Sequence, residues 1–480
     1  MDVTASLAES AGAPAPSPDT GAYLDHAATT PMTSAALAAF AEHARHTGNA
    51  SSLHSAGRAA RRTVEESREV VARSLGARPS EVIFTAGGTE ADNLAIKGIF
   101  WGRRAQDKRR TRILVSAVEH HAVLDPAFWL AGHAGAQVVL LPVDAEGRVD
   151  VDTLRAELAD HPQDTALVSV MWANNEVGTI QPVRDVVRAA RPYGIPVHVD
   201  AVQAVGQLEV DFAASGADAL TVSGHKLGGP AGVGALLARR DLPLDAVLHG
   251  GGQERGVRSG TLDVPAIAAF AVAVRDAVAG RAAYAARVAA LRDGLIERVH
   301  DAAPDAVLCG PDPRTDPELR LPANAHFAFP GAEGDSLLYL LDSAGVQAST
   351  GSACQAGIPQ PSHVLLAMGV AEDAARGALR FSLGPTSTAD DVDRLIAALP
   401  QVVERAQAAG LAGTNRGARK TAEHGPANDG LVPRPSPSTH PSSPPAVHSD
   451  GSSSSATGDG LVPRPSPSAR PSSSSKEHPA

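Results

Sequence analysis

Ala219-Leu-Thr-Val-Ser-Gly-His-Lys-Leu-Gly-Gly-Pro-Ala-Gly-Val-Gly-Ala-Leu-Leu-Ala238 decides how the rest of the chain is read. An apolar run ends abruptly in Ser223-Gly224-His225-Lys226, and a Gly/Pro turn leads into a second apolar run, Val233–Leu237. Two short β-prone segments around a polar turn predict two strands joined by a loop. The loop presents a lysine just behind a serine and a histidine. A lysine desolvated beside polar groups loses its proton and attacks carbonyls, which is how pyridoxal phosphate is held as a Schiff base. A solvated loop lysine is the alternative, and the loop alone leaves both open.

Upstream of this stretch the pattern alternates. Strand-like runs occur at Glu81–Thr85, Ile113–Ser116, Gln137–Leu141, Ala166–Met171 and Pro196–Asp200, several of them separated by helical segments such as Ser55–Leu75 and Val183–Arg191. Apolar strands without alternation, interleaved with helices, predict an α/β fold with a mostly parallel sheet covered on both faces. Ligands of such sheets bind beyond the carboxyl ends of the strands. Downstream of Thr261 the texture changes. Asp263 and Pro265 start a long helical stretch to about Ala302, with Gly280 as a candidate break. Short strands at Ala306–Cys309, Ala325–Phe329 and Ala378–Phe381 and a final helix near Ala389–Ala408 predict a second, smaller α+β domain.

The ends differ from the middle. Residues 1–20 are Ala/Pro/Ser-rich, and beyond Gly413 no aromatic residue occurs while GLVPRPSPS appears twice, at Gly430–Ser438 and Gly460–Ser468. Such segments bury too little apolar area to offset the entropy of ordering, so both ends are expected to be disordered. The middle is rich enough in apolar residues, 43% of the whole chain, for a sizeable core. No stretch reads as a membrane span or a signal peptide. Two cysteines, Cys309 and Cys354, exclude a disulfide framework and point to a reducing cytoplasm. A net charge of −11 argues against general nucleic-acid binding.

The polar clusters fall near strand ends. Thr85-Ala-Gly-Gly-Thr89-Glu90 joins a strand to an amphipathic run, and a glycine-rich helix N-terminus offers free N–H donors to a phosphate. An ordinary turn with a threonine cap is the alternative. Glu119-His120-His121 offers a ring to stack on a flat cofactor or to shuttle protons, or a simple cap. A metal reading fails for want of ligand partners. Asn174-Asn175-Glu176 follows one strand. Asp200 ends another, with Gln203 three residues on. A carboxylate beside a pyridine nitrogen keeps that nitrogen protonated, whereas a lone strand-end Asp is often a cap. The order phosphate turn, His, Asn, Asp, Lys raises the set above coincidence. The segment His249–Thr261 is rich in Gly and Arg and reads as an anion contact or a connector. Arg380, in a strand-like run, needs a partner: a substrate carboxylate or a structural acid. Cys354 sits on a loop of small residues, where a thiol is exposed and reactive, unlike Cys309 in the apolar Ala306–Cys309 run.

Together these motifs resemble the cysteine desulfurases of the NifS/IscS type, in the class V aminotransferase group of pyridoxal-phosphate enzymes. The resemblance runs colinearly from Tyr23-Leu-Asp-His-Ala-Ala-Thr-Thr-Pro31 to about Leu399. It includes FTAGGTEADNLAIKG, EHHAVLD, NNEVGTIQPV, VDAVQAVG, SGHKLGGPAGVG, GGGQERGVRSGTL, STGSACQAG and ALRFSLG. It implies the type I fold of pyridoxal-phosphate transferases, with a large cofactor-binding domain at 36–264, a small domain of 21–35 with 265–412, and a tail at 413–480. Lys226 would carry the cofactor and later move protons. Gly88, Thr89, Ser223 and His225 would hold the phosphate, and Thr261 would reach the phosphate of a neighbouring subunit in a homodimer. His120 would stack on the ring, Asp200 pair with its nitrogen, and Gln203 and Asn175 lie near its phenolic oxygen. Asn175 and Arg380 would hold the carboxylate of L-cysteine. Cys354 would take the sulfur as a persulfide, pass it to an iron–sulfur scaffold or an RNA-thiolating protein, and serve as a transient iron–sulfur ligand. Pro385-Thr386-Ser387-Thr388 departs from the pattern, because the family usually places an arginine there.

Overall fold

After a two-residue strand Ala22–Tyr23 (β1), seven strands build the central sheet: Val82–Thr85 (β2), Arg112–Ser116 (β3), Gln137–Leu141 (β4), Thr165–Ser169 (β5), Val197–Asp200 (β6), Ala219–Ser223 (β7) and Gly234–Ala238 (β8). The computed structural model describes residues 21–351 and 361–423. Strand order is β2-β8-β7-β6-β5-β3-β4. Only β8 runs against the rest, pairing antiparallel with β2 and β7, so the carboxyl ends of the other six point one way.

The strands other than the half-exposed edge strand β4 are apolar without alternation because both faces are covered. Phe84, Leu114, Val168, Val199, Leu220 and Leu237 pack in one cluster with residues of the helices Ser55–Ser74 and Val264–Ala302. Ile83, Ile113, Val115, Leu167, Ala219 and Leu236 face the other way, onto the helices Gly88–Gln106 and His121–Ala134. Neighbouring residues therefore go to opposite layers, as the pleat requires.

A second apolar cluster lies around three strands further along, Val307–Leu308 (β9), Asn324–Ala328 (β10) and Ala378–Ser382 (β12), in the order β12-β10-β9. Here Val346–Gln347 (β11) pairs in parallel with β1, and Asp25 bridges Ser382, so residues 22–25 pack with the later part of the chain. The helix Val264–Ala302 links the two clusters. Its residues 266–274 belong to the first, and Val288, Leu295, Ile296 and Val299 to the second. The expected break at Gly280 is absent: the helix runs through all 39 residues. What changes near Gly280 is the packing partner, not the backbone. The final helix extends to Glu423, beyond the expected end near Ala408 and into the segment from 413 for which disorder is expected. Residues 1–20 and 424–480, for which disorder is expected, lie outside the described residues. Among the described residues no helix is long and apolar enough to cross a membrane.

Candidate active site

The turn after β7 is a single 3-10 turn, Gly224–Lys226, which drops Lys226 into a cleft at the carboxyl ends of the strands. Gly88, Thr89, His120, Asn175, Asp200, Gln203, Ser223, His225 and Arg380 line the same cleft. Of the expected site residues, Thr261 is exposed and outside that lining, and Cys354 falls outside the described residues.

The Lys226 Nζ donates to the carbonyls of Ala27 at 2.5 Å and Ala28 at 2.7 Å. Burial and then the nearby Arg380 guanidinium pull its pKa down to about 8, so an uncharged amine is within easy reach near neutrality. Gln203 fixes the same segment by donating to the Ala27 carbonyl at 2.9 Å.

Asp200 is 6% exposed, and the Val202 N–H donates to its Oδ1 at 2.9 Å. Burial raises its pKa to about 6, while that N–H and the Lys226 charge oppose the rise. The His120 Nδ1 accepts from the Ala122 N–H at 3.0 Å, so the residue does cap a helix while its ring opens to the cleft. Desolvation, then Lys226, lowers its pKa to about 4, which leaves the ring neutral.

The helix Gly88–Gln106 begins beside this group. Its cap, Gly87, has φ +131° and offers no side chain, so the first N–H groups face the cleft uncapped. A Cβ on Gly234 would sit 2.5 Å from the Val222 carbonyl oxygen and 2.9 Å from the Gly87 Cα, so the turn packs directly on β8. Among the described residues the buried Ser223 Oγ has no hydrogen-bond partner. An orphaned hydroxyl beside a free helix N-terminus fits a phosphate. A carboxylate at one strand tip, a desolvated lysine and a neutral ring fit the rest of pyridoxal phosphate.

Arg380 is 4% exposed and split between roles. Its Nη1 donates to the Asn175 carbonyl at 3.0 Å and its Nη2 to Asp25 at 2.6 Å, while its Nε has no partner. The structural-acid alternative for this residue is thus seen, in Asp25, while its Nε is left without a partner among the described residues. Asp25 carried no role in the sequence reading, although it stands inside the quoted Tyr23–Pro31 motif.

Several neighbours of the site are structural. Asn174 is fully buried, donates to the Val118 carbonyl and accepts from the N–H groups of Glu176 and Val177. Arg258 pairs with Glu90 at 2.6 Å, and Glu90 in turn accepts from the Ala86 N–H at 2.8 Å. This arginine therefore braces the Thr85–Glu90 turn from outside. Cys309 is buried with its thiol pushed up to about 11, as inert as its apolar surroundings suggest. At the departure Pro385–Thr388, Arg287 donates to the carbonyls of Gly384, Pro385 and Ser387 and so holds the turn.

The aminotransferase class-V family matches residues 22–395. The chain belongs to that family, in its cysteine desulfurase branch. It is 57% identical over 391 residues to an IscS-like cysteine desulfurase of Mycobacterium tuberculosis, covering 82% of this chain and 98% of that one. It is 41% identical to the cysteine desulfurase IscS of Dictyoglomus turgidum, covering 80% and 94%. Among solved structures, a NifS-like protein matches with a TM-score of 0.72 at 36% identity, over 80% of this chain and 98% of that chain.

Proposed function

We propose that this chain is a pyridoxal-phosphate-dependent cysteine desulfurase that converts L-cysteine to L-alanine and keeps the sulfur as a persulfide on Cys354. The observation that carries the reading is Lys226, desolvated in one cleft between Asp200, Arg380 and the unpartnered Ser223 hydroxyl. The cofactor, when bound, supplies an electron sink for charge at the substrate α-carbon. The residues supply the rest. Ser223, Thr89, His225 and the uncapped N–H groups at Gly88 and Thr89 hold the phosphate. Asp200 would hold a proton on the ring nitrogen, the neutral His120 would stack on the ring, and Gln203 and Asn175 would serve its phenolic oxygen. The free Nε of Arg380, with Asn175, orients the substrate carboxylate. Lys226 takes the α-proton and returns a proton to the product.

Cys354, as thiolate, attacks the sulfur of L-cysteine. The new S–S bond forms as the C–S bond breaks, and the carbon fragment leaves as alanine after protonation. The persulfide then passes to an acceptor protein, an iron–sulfur scaffold or an RNA-thiolating protein, and Cys354 ligates a nascent cluster transiently. We further propose that the chain works as a cytoplasmic homodimer in which the exposed Thr261 reaches the phosphate held by the other copy, and that 36–264 and 21–35 with 265–412 act as its two domains. Cys354→Ala tests the reading: sulfide release from L-cysteine should vanish while the cofactor absorbance of the purified protein stays. Release that persists in this variant overturns it. Mixing Lys226→Ala with Thr261→Ala subunits tests the shared site, since only hybrid dimers would regain an intact one.

A further inference from the structure

A buried polar ladder runs under the floor of the cleft, on the sheet face toward the helix Gly88–Gln106. His198 and Asp200 are two residues apart on β6 and so point to the same side. The neighbour of His198 on β5 is Ser169, and that of Asp200 on β7 is Thr221. Side chains link these positions: Ser169 Oγ lies 2.9 Å from His198 Nδ1, and Thr221 Oγ1 lies 3.0 Å from His198 Nε2. From the helix, Asp92 enters the ladder with its Oδ1 3.5 Å from His198 Nε2. The Thr221 hydroxyl is close enough to its carboxyl to lower its pKa, against the larger rise from burial and from Asp200. Asp92 is 1% exposed, lines the cleft, and its Oδ1 has no hydrogen-bond partner. Glu119 flanks Asp200 as well, with Oε1 accepting from the Met171 N–H and Oε2 unpartnered.

Three carboxyls thus lie close together at the base of the cleft, where burial and their mutual repulsion oppose charging all three. Asp200 has the Val202 N–H and the field of Lys226. Asp92 has only the Thr221 hydroxyl, with neither a backbone donor nor a cation, since the fully buried His198 is neutral, its pKa lowered to about 3 by desolvation. We propose that Asp92 is the positioning acid of this site: it stands as a neutral carboxylic acid in the Thr221–His198–Ser169 ladder, so that Asp200 carries the negative charge toward the cofactor nitrogen. The ladder then has one direction. The Asp92 hydroxyl donates to Thr221 Oγ1, Thr221 donates to His198 Nε2, and His198 Nδ1–H donates to Ser169 Oγ. Ionising Asp92 would reverse every link.

The inference rests on the reading of the cleft as a pyridoxal-phosphate site, yet its test does not need the cofactor. Infrared difference spectra of wild type against Asp92→Asn at pH 7, with and without added pyridoxal phosphate, should show a carboxylic-acid C=O band that the substitution removes. A carboxylate difference band at that pH overturns the proposal. In the loaded protein, the pH midpoint of the cofactor absorbance should move by less than about half a unit, because a neutral group replaces a neutral group. A shift of about a unit or more would mean that a charge was removed, and would overturn it equally. Should Asp92→Asn not fold, Thr221→Val keeps the shape and removes the hydroxyl. The acid band then moves to higher frequency, and an unmoved band contradicts the ladder. A chain that takes up no cofactor but keeps the acid band defeats the reading of the cleft and leaves the neutral Asp92 standing.

Discussion

Two buried arginines, each facing an acid across the fold, illustrate two uses of the same chemistry. Arg68 and Glu254 sit at the free edge of β2. The Arg68 Nη1 donates to the Val82 carbonyl and to Glu254 at 2.8 Å, its Nη2 donates to Glu254 at 2.6 Å, and its Nε donates to Glu65. Glu254 also accepts from the Phe84 N–H at 2.7 Å, so the pair covers the backbone groups that an edge strand leaves open. That network also holds Glu254 and Arg255 at φ 45° and 60°, a strained conformation on the segment that leads to Thr261. Arg380 is as deeply buried, yet among the described residues its Nε is unpartnered, as are Ser223 Oγ and Asp92 Oδ1 in the same cleft. Where every donor has an acceptor, the polar group holds the fold. Where donors and acceptors are left over along one cleft, they are available to a ligand.

Opposite responses to substitution would sharpen that contrast. Lys226→Ala should lower the rate of alanine formation from L-cysteine by about a thousandfold or more and abolish cofactor absorbance. The urea midpoint of the cofactor-free variant should hold or rise, since the fold spends stability on desolvating that amine. A large fall in the midpoint would break the distinction. Arg68→Met should do the reverse. It leaves a buried Glu254 uncompensated, which costs about 3–5 kcal/mol in chemical denaturation. Adding Glu254→Met should restore most of the loss, with turnover per folded molecule kept throughout. Arg380→Lys, between these extremes, should raise the KM for L-cysteine by about tenfold with the cofactor spectrum unchanged, because one ammonium cannot serve Asp25, the Asn175 carbonyl and a carboxylate together.

The smallest expected effect lies in the ladder below the site. The His198 pKa is held at about 3, against the ordinary 6.5. Below pH 6.5 the unfolded chain binds a proton that the folded chain refuses, so stability falls as the pH drops. Relative to His198→Gln, the wild type should lose about 1 kcal/mol per pH unit between pH 6 and pH 4. Parallel curves for the two proteins would show that the ring is not the group resisting protonation.

Much of the cleft could be read from the chain because its residues stand at strand tips, and strands buried on both faces announce themselves as apolar runs. Lys226, Asp200, His120 and Thr89 each follow such a run directly. What escaped was held at long range. Asp25 meets Arg380 across 355 positions, and Arg68 meets Glu254 across 186, with no local pattern to join them. Asp92 left a trace, since it lies on the buried stripe with Ala95, Ile96 and Ile99, where a carboxyl has no reason to stand unless something below receives it. The unbroken helix through Gly280 shows a different limit. A single glycine costs a helix only about 1 kcal/mol, and packing at both ends overrides it.

The most direct test of the account is chemical. The chain has five lysines, at 97, 108, 226, 420 and 476. After reconstitution with pyridoxal phosphate and reduction with borohydride, peptide mass mapping should find the pyridoxyl group on Lys226. A label on another lysine, or no label at all, would contradict the site described here.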